Sequence, residues 1–326
     1  MSRLMKKKIF LTRTLHDFAL KQLRKKYQIE IHSGKIPIPQ TKLRSKMKEV
    51  YGLICFPYDK INKEMMDDAK NLKVISTYSV GFDHIDTEYA KEKKIRVGYT
   101  PEVLTDATAD LAFSLLLDIS RRVSEGDRII RDGKWTEIYG AFDYVGVDLQ
   151  GKTIGILGLG RIGSTFAKRA KAFDMKIIYH NRKRISKTRE KVLNVKYVSF
   201  EKLISQSDFI SIHVPHTKET DQLFNMKIFK KMKKTAFLIN TSRGKVINEK
   251  DLVSALKKKT ISGAGLDVFA EEPIDKKHPF AKLSNITLAP HIGSSTKETR
   301  MKMAEITVKN LDLGMKSKKP IYSVGY

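Results

Sequence analysis

Only one cysteine occurs in the chain, Cys55, within the apolar run GLICFP. A single thiol excludes an internal disulfide framework and cannot build a multi-cysteine metal site. Its strand-like flanks mark it as an inert core residue, and the lack of disulfides points to a reducing, cytoplasmic compartment. Long apolar runs are also missing. LAFSLLL at 111–117 is among the longest, far short of the roughly 20 residues that cross a bilayer, so no membrane partner is expected. The start, MSRLMKKKIFLTRTL, is basic but has neither an extended apolar core nor a small-residue cleavage site. It is expected to hold a first strand, KIFLT, rather than a secretory leader. Acids are scarce: 36 Asp and Glu stand against 63 Lys and Arg, a net charge of +27. Such an excess raises nucleic acid as a partner. However, the lysines are scattered through every segment, aromatics do not interleave with them, and no zinc-knuckle or basic-zipper pattern appears. The expectation is a solvated basic surface that steers anionic ligands, with no nucleic-acid partner. His84, His180, His213 and His216 form no pair at helical metal spacing with an added acid, so no metal is expected.

What is present is a chain of 326 residues, long enough for two domains, whose 41% apolar and 30% charged content is that of a folded globular protein. Short β-branched runs alternate with helical stretches: KIFLT, YQIEIH, YGLICF, LKVISTY and KIRVGY in the first hundred residues. This is α/β patterning with a buried parallel sheet. From 102 to about 130, apolar residues recur at three and four, predicting one long helix or two joined ones. A second series follows: TIGILGL, MKIIYH, VKYV, FISIHV, AFLINT, GAGLDVF and ITLAPH. Seven strands in that order describe a doubly wound nucleotide-binding sheet. The segment from 295 reads as an amphipathic helix.

GKTIGILGLGRIG at 151–163 places Gly158, Gly160 and Gly163 directly after an apolar strand and before a helix, the context that gives a GxGxxG its meaning. Gly158 permits the tight turn, Gly160 lets backbone approach a pyrophosphate, and Gly163 lets the helix pack closely. Arg161 and Ile162, between them, open that helix at its positive end. The next strand ends IIYHNRKR. Asn181 lies 21 residues after Gly160, in the slot where an acid ordinarily accepts from the adenine-ribose hydroxyls. Asparagine cannot repel a 2′-phosphate, while Arg182, Lys183 and Arg184 supply donors and positive charge for one. The expected cofactor is therefore NADPH, with NADH possible.

Three further segments end strands or follow them: INTSRGKVI at 239–247, GLDVFAEEP at 265–273 and APHIGSS at 289–295. An arginine, an acid and a histidine after three successive strands suit carbonyl reduction. Arg243 would clamp a carboxylate, His291 would donate a proton to the carbonyl oxygen, and Glu272 would favour the charged imidazole.

With YSVGFDHID, LTDATADLAFSLLL, HVPHT and APHIGSST added, the chain resembles the D-isomer-specific 2-hydroxyacid dehydrogenase family over nearly its whole length, most closely its glyoxylate and hydroxypyruvate reductase branch. The resemblance implies Arg243, Glu272 and His291 as the catalytic set. Glu272 is chosen over Glu271 because it immediately precedes Pro273. It implies that the Val80 and Gly81 amides bind the substrate carboxylate beside Arg243. Thr108, Pro215, Thr241 and Ser242 resemble cofactor contacts, and Asp267 the residue that meets the nicotinamide carboxamide. The implied architecture is discontinuous: a flavodoxin-like outer domain of 1–100 and 295–326, with a Rossmann-type domain of 101–294 inserted and the chemistry in the cleft. The arm from Trp135 to Gly146 resembles the family's dimer segment, so a homodimer is expected, with Trp135 at an interface or pocket rather than in a core. The implied reaction is NADPH-dependent reduction of glyoxylate or hydroxypyruvate. Within the family the alternatives are 2-ketogluconate reductase, phosphoglycerate dehydrogenase or D-lactate dehydrogenase. Outside enzymes, the alternative is a dinucleotide-sensing corepressor.

Overall fold

A computed structural model describes residues 6–325, so the first five residues of the basic start lie outside it. The chain forms two compact units, Met1–Leu104 with Ser295–Tyr326, and Thr105–Ser294.

In the first unit β1 (Lys8–Leu11), β2 (Gln28–Ile31), β3 (Gly52–Cys55), β4 (Val74–Thr77) and β5 (Arg96–Gly98) lie parallel in the order β2-β1-β3-β4-β5. This is the flavodoxin-like order. β3 and β4 are buried along their whole length. Covered on both faces, they read in sequence as continuous apolar runs instead of alternating ones. Phe10, Leu53, Met47, Met65 and Ile75 fill one side of the sheet.

In the second unit β6 (Thr153–Leu157), β7 (Lys176–His180), β8 (Lys196–Tyr197), β9 (Phe209–Ile212), β10 (Phe237–Asn240), β11 (Gly263–Leu266) and β12 (Ile286–Leu288) form one parallel sheet. Their order is β8-β7-β6-β9-β10-β11-β12. The chain runs outward in one direction from β6 and in the other from β9, so the switch point, where such sheets bind ligands beyond the strands' carboxyl ends, lies between those two strands. VKYV contributes only two paired residues, because β8 is the sheet edge and meets β7 alone.

The apolar stretch after 102 forms two helices, Thr105–Arg121 and Val123–Arg131. They meet at Arg122, in the left-handed region at φ 58°. A bidentate pair with Glu125 at 2.8 Å and the Tyr144 ring 4.0 Å from the guanidinium hold that residue there. The first helix buries Ala109, Ala112, Leu115 and Leu116, while the second buries no residue.

The terminal segment belongs to the first unit. Its helix, Lys297–Met315, starts at Thr296, whose side chain accepts from Thr299 N. The buried stripe is mixed: beside Met303, Leu311 and Met315 it carries Thr307 and Asn310, whose polar atoms are satisfied by Met303 O at 2.8 Å and Tyr99 O at 2.9 Å. β13 (Ser323–Val324) then pairs antiparallel with β5. Among the described residues no helix is long and apolar enough to cross a membrane.

Candidate active site

Arg243, Glu272 and His291 stand beyond the carboxyl ends of β10, β11 and β12, three adjacent parallel strands of one sheet. Adjacent strands lie about 4.8 Å apart, so loops leaving them converge. Arg243 sits on a turn braced by a fully buried side chain, Asn240. Asn240 Oδ1 accepts from Ser242 N at 3.0 Å and Ser242 Oγ at 2.8 Å, while its Nδ2 donates to Arg243 O at 2.9 Å. The Arg243 Nη1 donates to Ser242 O at 2.8 Å. Gly244 follows for a steric reason: a Cβ there would lie 1.9 Å from Phe269 carbonyl carbon. The turn carrying the guanidinium therefore presses against the backbone leading to Glu272.

Glu272 uses both carboxylate oxygens. Oε1 accepts from Phe269 N at 2.9 Å, and Oε2 lies 2.6 Å from His291 Nδ1. The acid is the more buried partner, with its side chain 13% exposed against 28% for the imidazole. Fixing Nδ1 in this way leaves Nε2 as the ring atom able to exchange a proton with a ligand. His291 has φ 55°, a conformation that β-carbon-bearing residues seldom adopt. The following amides hold it there: Asp267, 1% exposed, accepts Ile292 N on Oδ1 at 2.7 Å and Gly293 N on Oδ2 at 2.8 Å. Burial pushes the Asp267 carboxyl up to about 6, against the two amides and the nearby His291. Thr108 closes this arrangement, its buried hydroxyl donating to Gly293 O at 3.2 Å. Thus Thr108 and Asp267, both expected at the cofactor, also bond the Ile292–Gly293 segment and hold the His291 turn.

The glycine loop has the form its sequence requires. Gly158 turns at φ 94°, and a Cβ on it would come 2.7 Å from His213 O, beyond β9 at the switch point. Gly163 lies against Gly158 O, where a Cβ would approach to 2.2 Å. At Gly160 an added Cβ meets nothing within 4 Å. The helix Arg161–Ala172 begins at Gly160 with no side-chain cap, whereas Ser186, Ser199 and Asn248 cap their helices. The positive end of an uncapped helix favours an anion. Open space over Gly160 and an uncapped helix start suit a dinucleotide's phosphates.

Asn181 Oδ1 accepts from Leu159 N at 2.6 Å, which ties the end of β7 to the glycine loop. Its Nδ2 has no acceptor among the described residues. Arg182 and Lys183 are exposed beside it. Arg184 is committed elsewhere: Nε and Nη2 pair with Glu190 at 2.8 and 2.7 Å. Tyr179 Oη also donates to Glu190, at 2.6 Å, and the two partners draw that carboxyl down to about 2. Arg189, which the sequence does not single out, donates to Ser164 Oγ on the phosphate-loop helix at 3.1 Å. Thr241 Oγ1 is buried with no partner among the described residues. Pro215 is exposed, its carbonyl accepting from Thr220 Oγ1 at 2.7 Å. His213 pairs with Ser211 Oγ at 2.8 Å, and burial draws its imidazole down to about 3.

In the first unit Val80 and Gly81 lie on the loop after β4, half-buried. Asn240 and Gly244 are the supporting residues that the sequence reading does not name. Their signal is present in INTSRGK, an asparagine ending a strand two residues before a polar turn, where an Asx turn is common.

The profile of the D-isomer specific 2-hydroxyacid dehydrogenase NAD-binding domain matches residues 113–293. The chain is 48% identical to the glyoxylate reductase of Thermococcus litoralis, over 94% of this chain and 93% of that protein. Among solved structures it is similar to a protein from Thermus thermophilus, with a TM-score of 0.90, 43% identity, and coverage of 97% of this chain and 99% of that one. It is also similar to an NADPH-dependent glyoxylate/hydroxypyruvate reductase of Sinorhizobium meliloti in complex with NADP and malonate. There the TM-score is 0.87 and the identity 29%, over 98% and 97% of the two chains.

Proposed function

Because the chain belongs to the D-isomer specific 2-hydroxyacid dehydrogenase family, in its glyoxylate reductase branch, we propose that it reduces glyoxylate and hydroxypyruvate to the D-2-hydroxy acids, with NADPH preferred. The observation that carries the reading is the 2.6 Å contact between Glu272 Oε2 and His291 Nδ1, beside an arginine on the neighbouring strand end.

When bound, a reduced nicotinamide supplies a hydride to the carbonyl carbon. Arg243 grips the substrate carboxylate through two parallel hydrogen bonds. His291 Nε2 gives its proton to the carbonyl oxygen, so that oxygen becomes the product hydroxyl. Glu272 holds the ring in the productive tautomer and balances the imidazolium charge. The dinucleotide would be held by Gly158, Gly160, Arg161, Ile162 and Gly163, with Thr108, Pro215, Thr241, Ser242 and Asp267 along its length. NADPH is favoured because Asn181, its oxygen taken by Leu159 N, turns an amide donor rather than a carboxylate to the ribose position. Arg182 and Lys183 then supply the positive charge, since Arg184 is occupied by Glu190. Steady-state assays of the purified protein with a panel of 2-oxo acids and both cofactors test the reading. Efficient turnover of glyoxylate with NADPH is expected, and no turnover of any 2-oxo acid would remove it.

The protein is proposed to act as a homodimer. Ile138 and Phe142, 92% and 95% exposed, with Trp135, Ile130 and Val123, present an apolar arm suited to a second copy. Light scattering should give twice the chain mass for the wild type and one chain mass for Phe142→Asp with Ile138→Asp.

A further inference from the structure

Beneath the Val80–Gly81 loop runs a line of polar side chains whose donor count can be read without ambiguity. Ser79 Oγ lies 2.6 Å from Gly81 O, Thr77 Oγ1 lies 2.7 Å from Ser79 Oγ, and His84 Nε2 lies 3.1 Å from Thr77 Oγ1. A carbonyl oxygen can only accept, so the single hydroxyl proton of Ser79 goes to Gly81. Thr77 must then donate to Ser79, and Nε2 of His84, which also lies 4.0 Å from Cys55 Sγ, must carry the hydrogen that reaches Thr77. All hydrogen bonds in the series point one way, from His84 through Thr77 and Ser79 to the Gly81 carbonyl. Thr77 is fully buried and Ser79 is 6% exposed, so water does not compete for these bonds. His84 is itself anchored, its carbonyl accepting from Ile61 N at 2.8 Å.

In a trans peptide the N–H points opposite to the C=O of the same plane. Fixing Gly81 O inward therefore turns the Phe82 amide outward. The amides of Val80, Gly81 and Phe82 have no acceptor among the described residues, and such a row of free N–H groups is an anion site. Aligned hydroxyls polarise one another and the peptide they end on, which strengthens the Phe82 N–H.

The geometry points to Ser79, Thr77 and His84 as positioning residues that set the carboxylate-binding loop, with the Phe82 amide as a third donor to the substrate carboxylate. The inference rests on the proposed reduction of a 2-oxo acid. Removing one hydroxyl link should loosen the loop without touching the proton donor.

Ser79→Ala and Thr77→Val should raise the KM for glyoxylate roughly three- to tenfold, the scale of one net hydrogen bond. In both variants kcat should stay within about twofold and the KM for NADPH should not move. Thr77→Ser, which keeps the hydroxyl, should restore the wild-type KM. Deuterium exchange at the Ile85 and Thr100 amides, which donate to Phe82 O and Ser79 O on this loop, should be several-fold faster in Ser79→Ala and Thr77→Val, a readout that needs no turnover. If the wild type turns over glyoxylate and both variants match it in KM and exchange, the positioning role is overturned while the reaction stands. Were the wild type inert toward all 2-oxo acids, the reaction would fall, and exchange in the two variants would still decide the hydroxyl chain: unchanged rates overturn it.

Discussion

Glu272 Oε2 lies 2.6 Å from His291 Nδ1, and the other oxygen of the same carboxylate is held by the Phe269 amide. The acid therefore cannot swing away without breaking a backbone contact, and the imidazole inherits its orientation. His291→Ala should lower kcat for glyoxylate by about 10² to 10⁴, the usual cost of a missing proton donor. Glu272→Gln keeps the shape but not the charge and should cost at least about tenfold in kcat. Full turnover in His291→Ala would refute the assignment.

Arg243 is expected to serve both affinity and orientation. Arg243→Ala should raise KM and lower kcat together, with kcat/KM down by roughly 10² or more. Arg243→Lys should recover little, because a point charge cannot make two parallel bonds to one carboxylate. Kinetics with glyoxylate are the check, and an unchanged profile in the alanine variant would count against the carboxylate role.

Cofactor choice separates the neighbouring cations. Asn181→Asp with Arg182→Ala should move the ratio of kcat/KM values toward NADH, by adding repulsion and deleting attraction. Arg184→Ala should instead lower the melting temperature with little change in that ratio, since its guanidinium serves Glu190 and Tyr179. Equal wild-type efficiency with both cofactors would remove the reason for preferring NADPH.

Asp267 gives a pH signature. Burial raises its carboxyl from 3.8 to about 6, so the folded chain holds a proton there that the unfolded chain has released. This contribution to stability is complete below about pH 4 and is lost as pH rises through 6. The unfolding free energy of the wild type relative to Asp267→Asn should therefore fall between pH 4 and 7, on the order of 1–3 kcal/mol. A pH-independent difference in denaturant melts would argue against the raised carboxyl. The same variant places an amide donor against either Ile292 N or Gly293 N, so kcat should also drop as the His291 turn loosens.

Much of the fold is legible because a parallel sheet buried on both faces leaves a plain mark: continuous runs such as GLIC and FISI are the interior strands β3 and β9. Weaker elements lack that mark. β13 has two paired residues and no apolar run, and the break at Arg122 has no glycine or proline to announce it. Arg122 holds its left-handed turn beside a local pair with Glu125 and the more distant Tyr144 ring. In the candidate site the pattern of residue types was readable, since strand ends and their loops carry the polar groups. The allocation of their hydrogen bonds was not. Nothing in NRKR distinguishes Arg184 from its neighbours until Tyr179 and Glu190 fold against it. Likewise, nothing in GLDVF signals that both Asp267 oxygens accept backbone amides, from Ile292 and Gly293.

The crowding at Gly244 has a practical corollary. With Phe269 backbone 1.9 Å from where a methyl would begin, no side chain can be accommodated by a rotamer change. Attempts to diversify this enzyme toward bulkier keto acids should freeze that codon and randomise elsewhere.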